Sequence, residues 1–323
     1  MAERCIHVLK SMREARKIVV VALIGVLAAG IGLVLLLPNL LEEVLRAPSR
    51  AGGETPVAVV GEGLGLGGRQ GYKPVKGCRI VVVVDNNGDC DLETAWGLSM
   101  YVDLNTTKIL FDTGPDPGVL ERNMMRLGID PSKIDLVVLS HEHGDHVGGL
   151  SYIAKVNPRV KVYIPKGMSP NVKDWIRRLG LSVSEVENTT IIAEGVAVVG
   201  PLGDFVKEEA LAVNVEGEGL VVLVGCSHPG VVNIVKKASQ DLATKPYAVI
   251  GGFHMAGAPA EECRKVVEEL LELEVEKIAP IHCSGDTMRS TLAQEHPEKY
   301  LNCHVGSIIE IQPARQEAKR GHV

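Results

Sequence analysis

Apolar residues fall along this chain in runs rather than in alternation. "RIVVVV" (Arg79 to Val84), "IDLVVLS" (Ile134 to Ser140), "GLVVLVG" (Gly219 to Gly225) and "YAVIGG" (Tyr247 to Gly252) show almost no polar interruption. A short strand that is apolar at successive positions is buried on both faces. "GLSMYVDL" and "KILFDTG" read as a hairpin joined across Asn105, Thr106 and Thr107. "KVYIP", "VAVVG", "EALAVNVE", "KIAPIHC" and "GSIIEIQ" supply further strands. Between them the period lengthens to that of a helix. "PGVLERNMMRLGI" (Pro117 to Ile129) carries Pro in its first turn, and helices are also expected from Gly149, over "PNVKDWIRRLG", over "VVNIVKKASQ" and over "AEECRKVVEELLELE". Strands with interspersed helices define an α/β fold with buried sheets. No internal repeat of ~20–50 residues is present.

One run differs in kind. From Ile18 to Leu41 the chain is uncharged and apolar on every side. Its length suffices to cross a hydrocarbon core of ~30 Å at ~1.5 Å per residue. Arg4, Lys10, Arg13, Arg16 and Lys17 precede it, and a mixed-charge flank follows. That bias predicts a single-pass membrane protein with a cytoplasmic N-terminus (1–17), a transmembrane helix (18–41) and a folded domain outside the cytoplasm. A cleaved signal peptide is the competing reading, but the run exceeds the usual ~7–15 apolar residues of such a signal. Residues 42–76, rich in Gly and Pro, read as a linker. Gly63, Gly65 and Gly68 match G-x-G-x-x-G there, but Pro74 and further glycines follow where a helix is required, so no dinucleotide loop is expected. The folded domain is expected over 77–313, with a polar tail over 314–323.

Composition narrows the function. The chain has 323 residues, 46% of them hydrophobic but only 3% aromatic, so the core must be aliphatic. A net charge of −6 without a basic patch gives no support for a nucleic-acid partner. Seven cysteines without C-x-x-C signal neither a zinc ribbon nor a disulfide framework.

The candidate chemistry lies in "SHEHGDHVGG", where His141, His143, Asp145 and His146 follow the end of an expected buried strand. Neutral imidazoles and a carboxylate on one turning loop suit Zn²⁺, with Fe or Mn²⁺ as alternatives. Two such ions held close clamp a phosphate or carbonyl and lower the pKa of a shared water. Ser227 precedes His228, but no G-x-S-x-G elbow is present to make it a nucleophile.

"HEHGDH" resembles the H-x-H-x-D-H signature of the metallo-β-lactamase superfamily, and "FDTG" (Phe111 to Gly114) is similar to that family's Asp-containing turn. "GCSHPGVVNIV", "GGFHM" and "IHCSGD" resemble its dihydropterin–ribofuranosylaminobenzene phosphate synthase branch, a methanopterin-pathway group. The resemblance covers roughly residues 78–313 and implies an αββα sandwich, two mixed β-sheets with helices outside. It also implies one or two divalent metal ions and a small-molecule substrate. His141, His143, Asp145, His146 and His282 carry over as metal ligands, and Asp112 as a carboxylate orienting a ligand His. No His lies between His146 and His228, so His228 is the candidate for the remaining ligand. Cys226 stands where the family has a bridging Asp, either as a thiolate ligand or with the bridge missing. The expected sets are His141, His143 and His228 for one ion, and Asp145, His146 and His282 for the other. Asp145 and His254 are the candidate catalytic groups, His254 also being open to a ligand or structural role. Trp96 stands where the branch has His, and Cys283 and Asp286 read as scaffold. His143, where the superfamily's diiron oxidoreductases have Glu, favours hydrolysis or transfer. The expected function is a metallohydrolase using a metal-bound hydroxide on a phosphorylated or ester-type substrate. The alternatives are a pterin transferase and a non-catalytic, membrane-anchored metal sensor.

Overall fold

A computed structural model of the chain describes residues 72–88 and 91–313. The expected N-terminal segment, transmembrane helix, most of the linker and the C-terminal tail lie outside the described residues. No helix among the described residues is long and apolar enough to cross a membrane.

Among the described residues, thirteen strands form two sheets. The first is ordered β13-β1-β2-β3-β4-β5-β6 and the second β12-β11-β10-β9-β8-β7. In the first sheet β1 is Cys78–Val84, β2 Ser99–Asp103, β3 Lys108–Phe111, β4 Leu136–Val138, β5 Lys161–Pro165, β6 Ser182–Val186 and β13 Ile308–Ile311. In the second β7 is Thr190–Ala193, β8 Val196–Leu202, β9 Glu208–Val215, β10 Gly219–Val224, β11 Pro246–Gly252 and β12 Lys277–Ile281. Strands β3 to β6 run parallel, as do β10 to β12, and the other neighbours are antiparallel, so both sheets are mixed.

The uninterrupted apolar runs follow from four layers. In β1, Ile80 and Val82 face the core between the sheets, whereas Val81 and Val83 face helices on the outside. In β10, Val221 and Leu223 point inward, and Leu220, Val222 and Val224 point to the helices of the other face. Helices α1 (Pro117–Arg126), α3 (Leu150–Val156) and α4 (Pro170–Arg178) cover the first sheet through Leu120, Met124, Leu150, Ile153 and Ile176. Helices α5 (Val231–Leu242), α6 (Ala260–Glu272) and α7 (Gly285–Glu295) cover the second through Ile234, Val235, Val267, Leu270, Met288 and Leu292. The arrangement is the expected αββα sandwich.

Boundaries follow local chemistry. Asp116 caps α1 by accepting the Gly118 and Val119 N–H groups at 2.8 and 3.0 Å. The helix stops at Arg126, short of the expected Ile129, because Gly128 adopts φ +68°. Residues at the end of the expected linker are tied to the domain, since the Val75 N–H donates to the Asn214 carbonyl at 2.8 Å. Strands β6 and β7 and helix α7 have no counterpart in the sequence reading. Inside the His-rich stretch a four-residue helix, α2 (Gly144–Val147), replaces the expected plain loop.

Candidate metal centre

The candidate residues stand at one edge of the sandwich, each just beyond a strand. Asp112 follows β3. His141 to His146 follow β4. Cys226 to His228 follow β10, His254 follows β11, and His282 and Cys283 follow β12. Asp112, Ser227, His254 and His282 all have positive φ, between +50° and +61°. Each costs about 1–2 kcal/mol for a residue with a Cβ, and such strain collects where the fold must aim a side chain. Gly225 has no such cost but a steric duty, since a Cβ there would lie 2.1 Å from Ser140 Oγ.

Two of the three groups of ligand-type atoms among the described residues contain ligands expected from sequence. Asp145, His146 and His282 converge with Cys226, and His141 and His228 converge with the same Cys226 sulfur. His143 joins the second group at its exposed side. Its Nδ1 lies 3.2 Å from His141 Nε2, and its ring centroid is 4.8 Å from that of His228. The two sets expected from sequence are therefore brought together, with Cys226 common to both. Glu142 turns away and accepts the Ser169 N–H.

The surroundings decide which nitrogens face inward. Asp112 Oδ2 accepts His146 Nδ1–H at 2.7 Å, and Ser140 Oγ is 2.9 Å from His141 Nδ1 while donating to Asp112 Oδ2 at 2.7 Å. His228 Nδ1 is 2.9 Å from Glu208 Oε2, and His282 Nδ1 is 3.1 Å from Asn86 Oδ1. With Nδ1 occupied in all four rings, the Nε2 lone pairs are turned to the centre. His146 Nε2 meets Cys226 Sγ at 3.2 Å, and buried His282 Nε2 has no hydrogen bond, 3.4 Å from Asp145 Oδ2. A cation among these atoms would take the place of the thiol proton that His146 Nε2 otherwise accepts. The donor set of imidazoles, a carboxylate and a sulfur fits a borderline ion such as Zn²⁺.

Electrostatics agree with this arrangement. Burial, reinforced by neighbouring His146, holds His141 well below its usual pKa of 6.5, and burial with the His282 charge brings His146 down to about 3. Both rings stay neutral, as ligands must be. The Glu208 hydrogen bond raises His228. Burial opposes protonation of His282, but the Asp145 carboxylate at 3.4 Å, Cys283 and Asp85 together outweigh it and raise that pKa. Burial also opposes ionisation of Asp145, yet the adjacent His282 ring and the charges of His146 and His282 hold it below the usual carboxylate range. The Cys226 thiol is pushed up by its hydrogen bond with Cys283 and by burial. A coordinated cation reverses that preference, because it deprotonates a bound thiol.

Glu208 has no counterpart in the sequence reading. Its carboxylate is buried and accepts the Cys226 and Ser227 N–H groups at 2.8 and 2.7 Å on one oxygen, and the His228 N–H at 2.8 Å on the other. Burial would raise its pKa, but these bonds and His228 hold it at about 2. The only advance signal was an acidic pair opening a strand. Asp85 likewise fixes the other end of the centre, accepting the His282 N–H at 2.8 Å.

The remaining candidates lie at the rim. His254 is exposed, with its ring centroid 4.6 Å from that of His228. Trp96 is 58% exposed and 5.2 Å from the His282 ring. Asp286 pairs with Arg289 at 2.6 Å, away from the ligand groups. His304 Nδ1 bonds the Val305 carbonyl, and His296 follows the end of α7. His7 and His322 lie outside the described residues. A cleft of about 810 Å³ opens beside His228, lined among others by Phe205, Asn233, Lys236 and Lys237.

Comparison with known proteins extends the geometry. A family model described as the metallo-beta-lactamase superfamily matches residues 97–282. A Methanocaldococcus jannaschii protein named 7,8-dihydropterin-6-methyl-4-(beta-D-ribofuranosyl)-aminobenzene-5'-phosphate synthase is 29% identical, over 67% of this chain and 90% of its own. A crystal structure described as a metal-dependent hydrolase of the beta-lactamase superfamily is 30% identical, with a TM-score of 0.62, covering 73% of this chain and 99% of that one. Human tRNase Z, short form, at 14% identity and a TM-score of 0.52, shares the fold over 72% of this chain and 98% of its own.

Proposed function

The chain belongs to the metallo-β-lactamase superfamily, and from that premise we propose that it is a metallohydrolase acting on a phosphorylated or ester-type small molecule. The observation that carries the reading is the set of four imidazoles tied at Nδ1, with Nε2 turned on a shared sulfur and carboxylate. His141, His143 and His228 would hold one ion, Asp145, His146 and His282 the other, and Cys226 would stand between them. Ions bound there supply a water ionised near neutral pH and a Lewis acid for the scissile ester.

The chain's own groups do the rest. Asp112 fixes His146 directly and His141 through Ser140, so one buried carboxylate orients a ring in each group. Glu208 does the same for His228. The Asp145 side chain is 22% exposed, so it would be open to take the proton of an attacking water. His254 stands at the open side, where it can return a proton to the leaving group. Lys236 is exposed in the cleft beside His228, where an ammonium favours an anionic substrate.

The superfamily hydrolase at 30% identity supports the hydrolytic reading. The archaeal synthase supports a second one, transfer of a pterin group with the ions polarising a diphosphate. Trp96, in place of a His expected for that branch, argues for a different substrate. The proposed topology, with the domain outside the cytoplasm, would also separate it from cytosolic pterin intermediates. A sensor needs no tuned proton donors and acceptors, so turnover separates that reading as well. The test is a screen of metal-loaded protein against phosphodiesters, lactones and pterin diphosphates. Hydrolysis of a phosphodiester or lactone supports the proposal. Turnover of pterin diphosphate alone replaces it with transfer, and no turnover at all leaves the sensor.

A further inference from the structure

Cys283 reads from sequence as scaffold beside His282, and the fold gives it another surrounding. Cys226, His254 and Cys283 follow β10, β11 and β12, three neighbouring parallel strands. Their sulfur and nitrogen ligand atoms all lie within 4.8 Å of one another. The Cys283 thiol donates to the Cys226 carbonyl at 3.7 Å, which holds its sulfur beside that residue. Both sulfurs are buried, at 4% exposure each. Space for the second sulfur comes from Gly252, where a Cβ would stand 2.7 Å from Cys283 Sγ. His254, at a φ of +55° just past β11, brings a ring nitrogen into this group. Cys78, Cys263 and Cys303 are also buried, but none belongs to a ligand group among the described residues.

We propose that Cys283 is a second thiolate donor of this centre, forming with Cys226 and His254 a two-sulfur, one-imidazole site for a thiophilic divalent cation. The inference rests on the reading of Cys226 as a sulfur donor and adds a site beside the two ion positions. Thiolates select thiophilic ions such as Zn²⁺ or Cd²⁺ over Mg²⁺ or Mn²⁺. Binding forms two metal–sulfur bonds and one metal–nitrogen bond and releases any protons the thiols carry to solvent. An ion held there withdraws His254 from the substrate, so filling this site opposes turnover.

The probe is Cd²⁺ added to chelator-stripped full-length protein kept reduced with a phosphine. Thiolate-to-cadmium charge transfer in the near ultraviolet grows with the number of coordinated sulfurs. The plateau should fall by about half in Cys283→Ser, reach background in the Cys226→Ser/Cys283→Ser double variant, and stay unchanged in Cys303→Ser. Mg²⁺ in large excess should not reduce it. Cadmium NMR of the unmodified protein gives the same answer without a variant, through a resonance shifted downfield by two sulfurs instead of one. A plateau that Cys283→Ser leaves at the unmodified value, or a one-sulfur resonance, overturns the inference while leaving Cys226 as the donor. Loss of nothing in Cys226→Ser overturns both this inference and the bridging role given to Cys226.

Discussion

Replacing Glu208 by Gln changes one atom in a buried side chain, and the structure sets the consequence. One carboxylate oxygen accepts the Cys226 and Ser227 N–H groups, and the other accepts both the N–H and the Nδ1–H of His228. A Gln side chain keeps one acceptor oxygen and places an NH₂ against the other pair of donors. Hydrogen bonds to a charged group contribute about 1.5–3 kcal/mol each, so losing two costs about 3–6 kcal/mol. His228 can recover one bond by moving its proton from Nδ1 to Nε2, which leaves a net loss of about 1.5–3 kcal/mol. For a domain of this size that lowers Tm by about 3–12 °C. The tautomer swap also puts a proton on the nitrogen facing Cys226 and His141, so metal affinity should fall about 10–100-fold. Neighbouring Glu209 is the control. It is buried without a hydrogen-bond partner, and burial together with the Asp112 charge pushes its pKa well above the usual carboxylate value, which favours the neutral form. Glu209→Gln therefore exchanges one neutral group for another and should leave Zn²⁺ affinity unchanged. Thermal melts and Zn²⁺ titrations against a competing chromophoric chelator read both quantities. If Glu208→Gln and Glu209→Gln behave alike, the role given to Glu208 is wrong.

Three further outcomes are expected. His228→Ala should lower metal content and phosphodiesterase activity together, and His296→Ala neither; wild-type metal content in His228→Ala would move the ligand role to His254. Chelator-stripped protein should lose stability below about pH 6.5, because His141 and His146 stay neutral in the fold while an unfolded His binds a proton there. The slope is up to about 1.4 kcal/mol per pH unit for each ring and continues toward His146's folded value. The upward shifts at His228 and His282 have the opposite sign and act above pH 6.5, so urea midpoints should peak near that pH; a midpoint that rises between pH 6 and 4 contradicts the burial argument. Protease added to spheroplasts should cut the metal domain without detergent if the N-terminal bias is read correctly, whereas shielding until the membrane is broken would place the domain in the cytoplasm.

Elements buried on both faces were legible in the sequence, since β1, β10 and β11 are unbroken apolar runs. Edge strands β6 and β7 were not, because their side chains are mostly half-exposed and "SVSEV" carries little apolar signal. Helix α7 buries only Met288, Thr291 and Leu292, too few to set a helical period. The His cluster was legible because its members are adjacent in sequence. Glu208 and Asn86 were not, since they act on histidines 20 and 196 residues away and only the sheet edge brings them together. Cys283 was visible as a residue, but its contact with Cys226 arises from the parallel order of β10, β11 and β12.

The most direct test of the metallohydrolase reading strips full-length protein with chelator and restores Zn²⁺ stepwise, measuring bound metal by mass spectrometry and hydrolysis of bis(p-nitrophenyl) phosphate on the same samples. Activity should be absent without metal and should rise with occupancy of the paired sites, reaching its maximum by about two equivalents, as a two-ion clamp requires. Activity that survives complete stripping, or protein that takes up no Zn²⁺ above background, would contradict it.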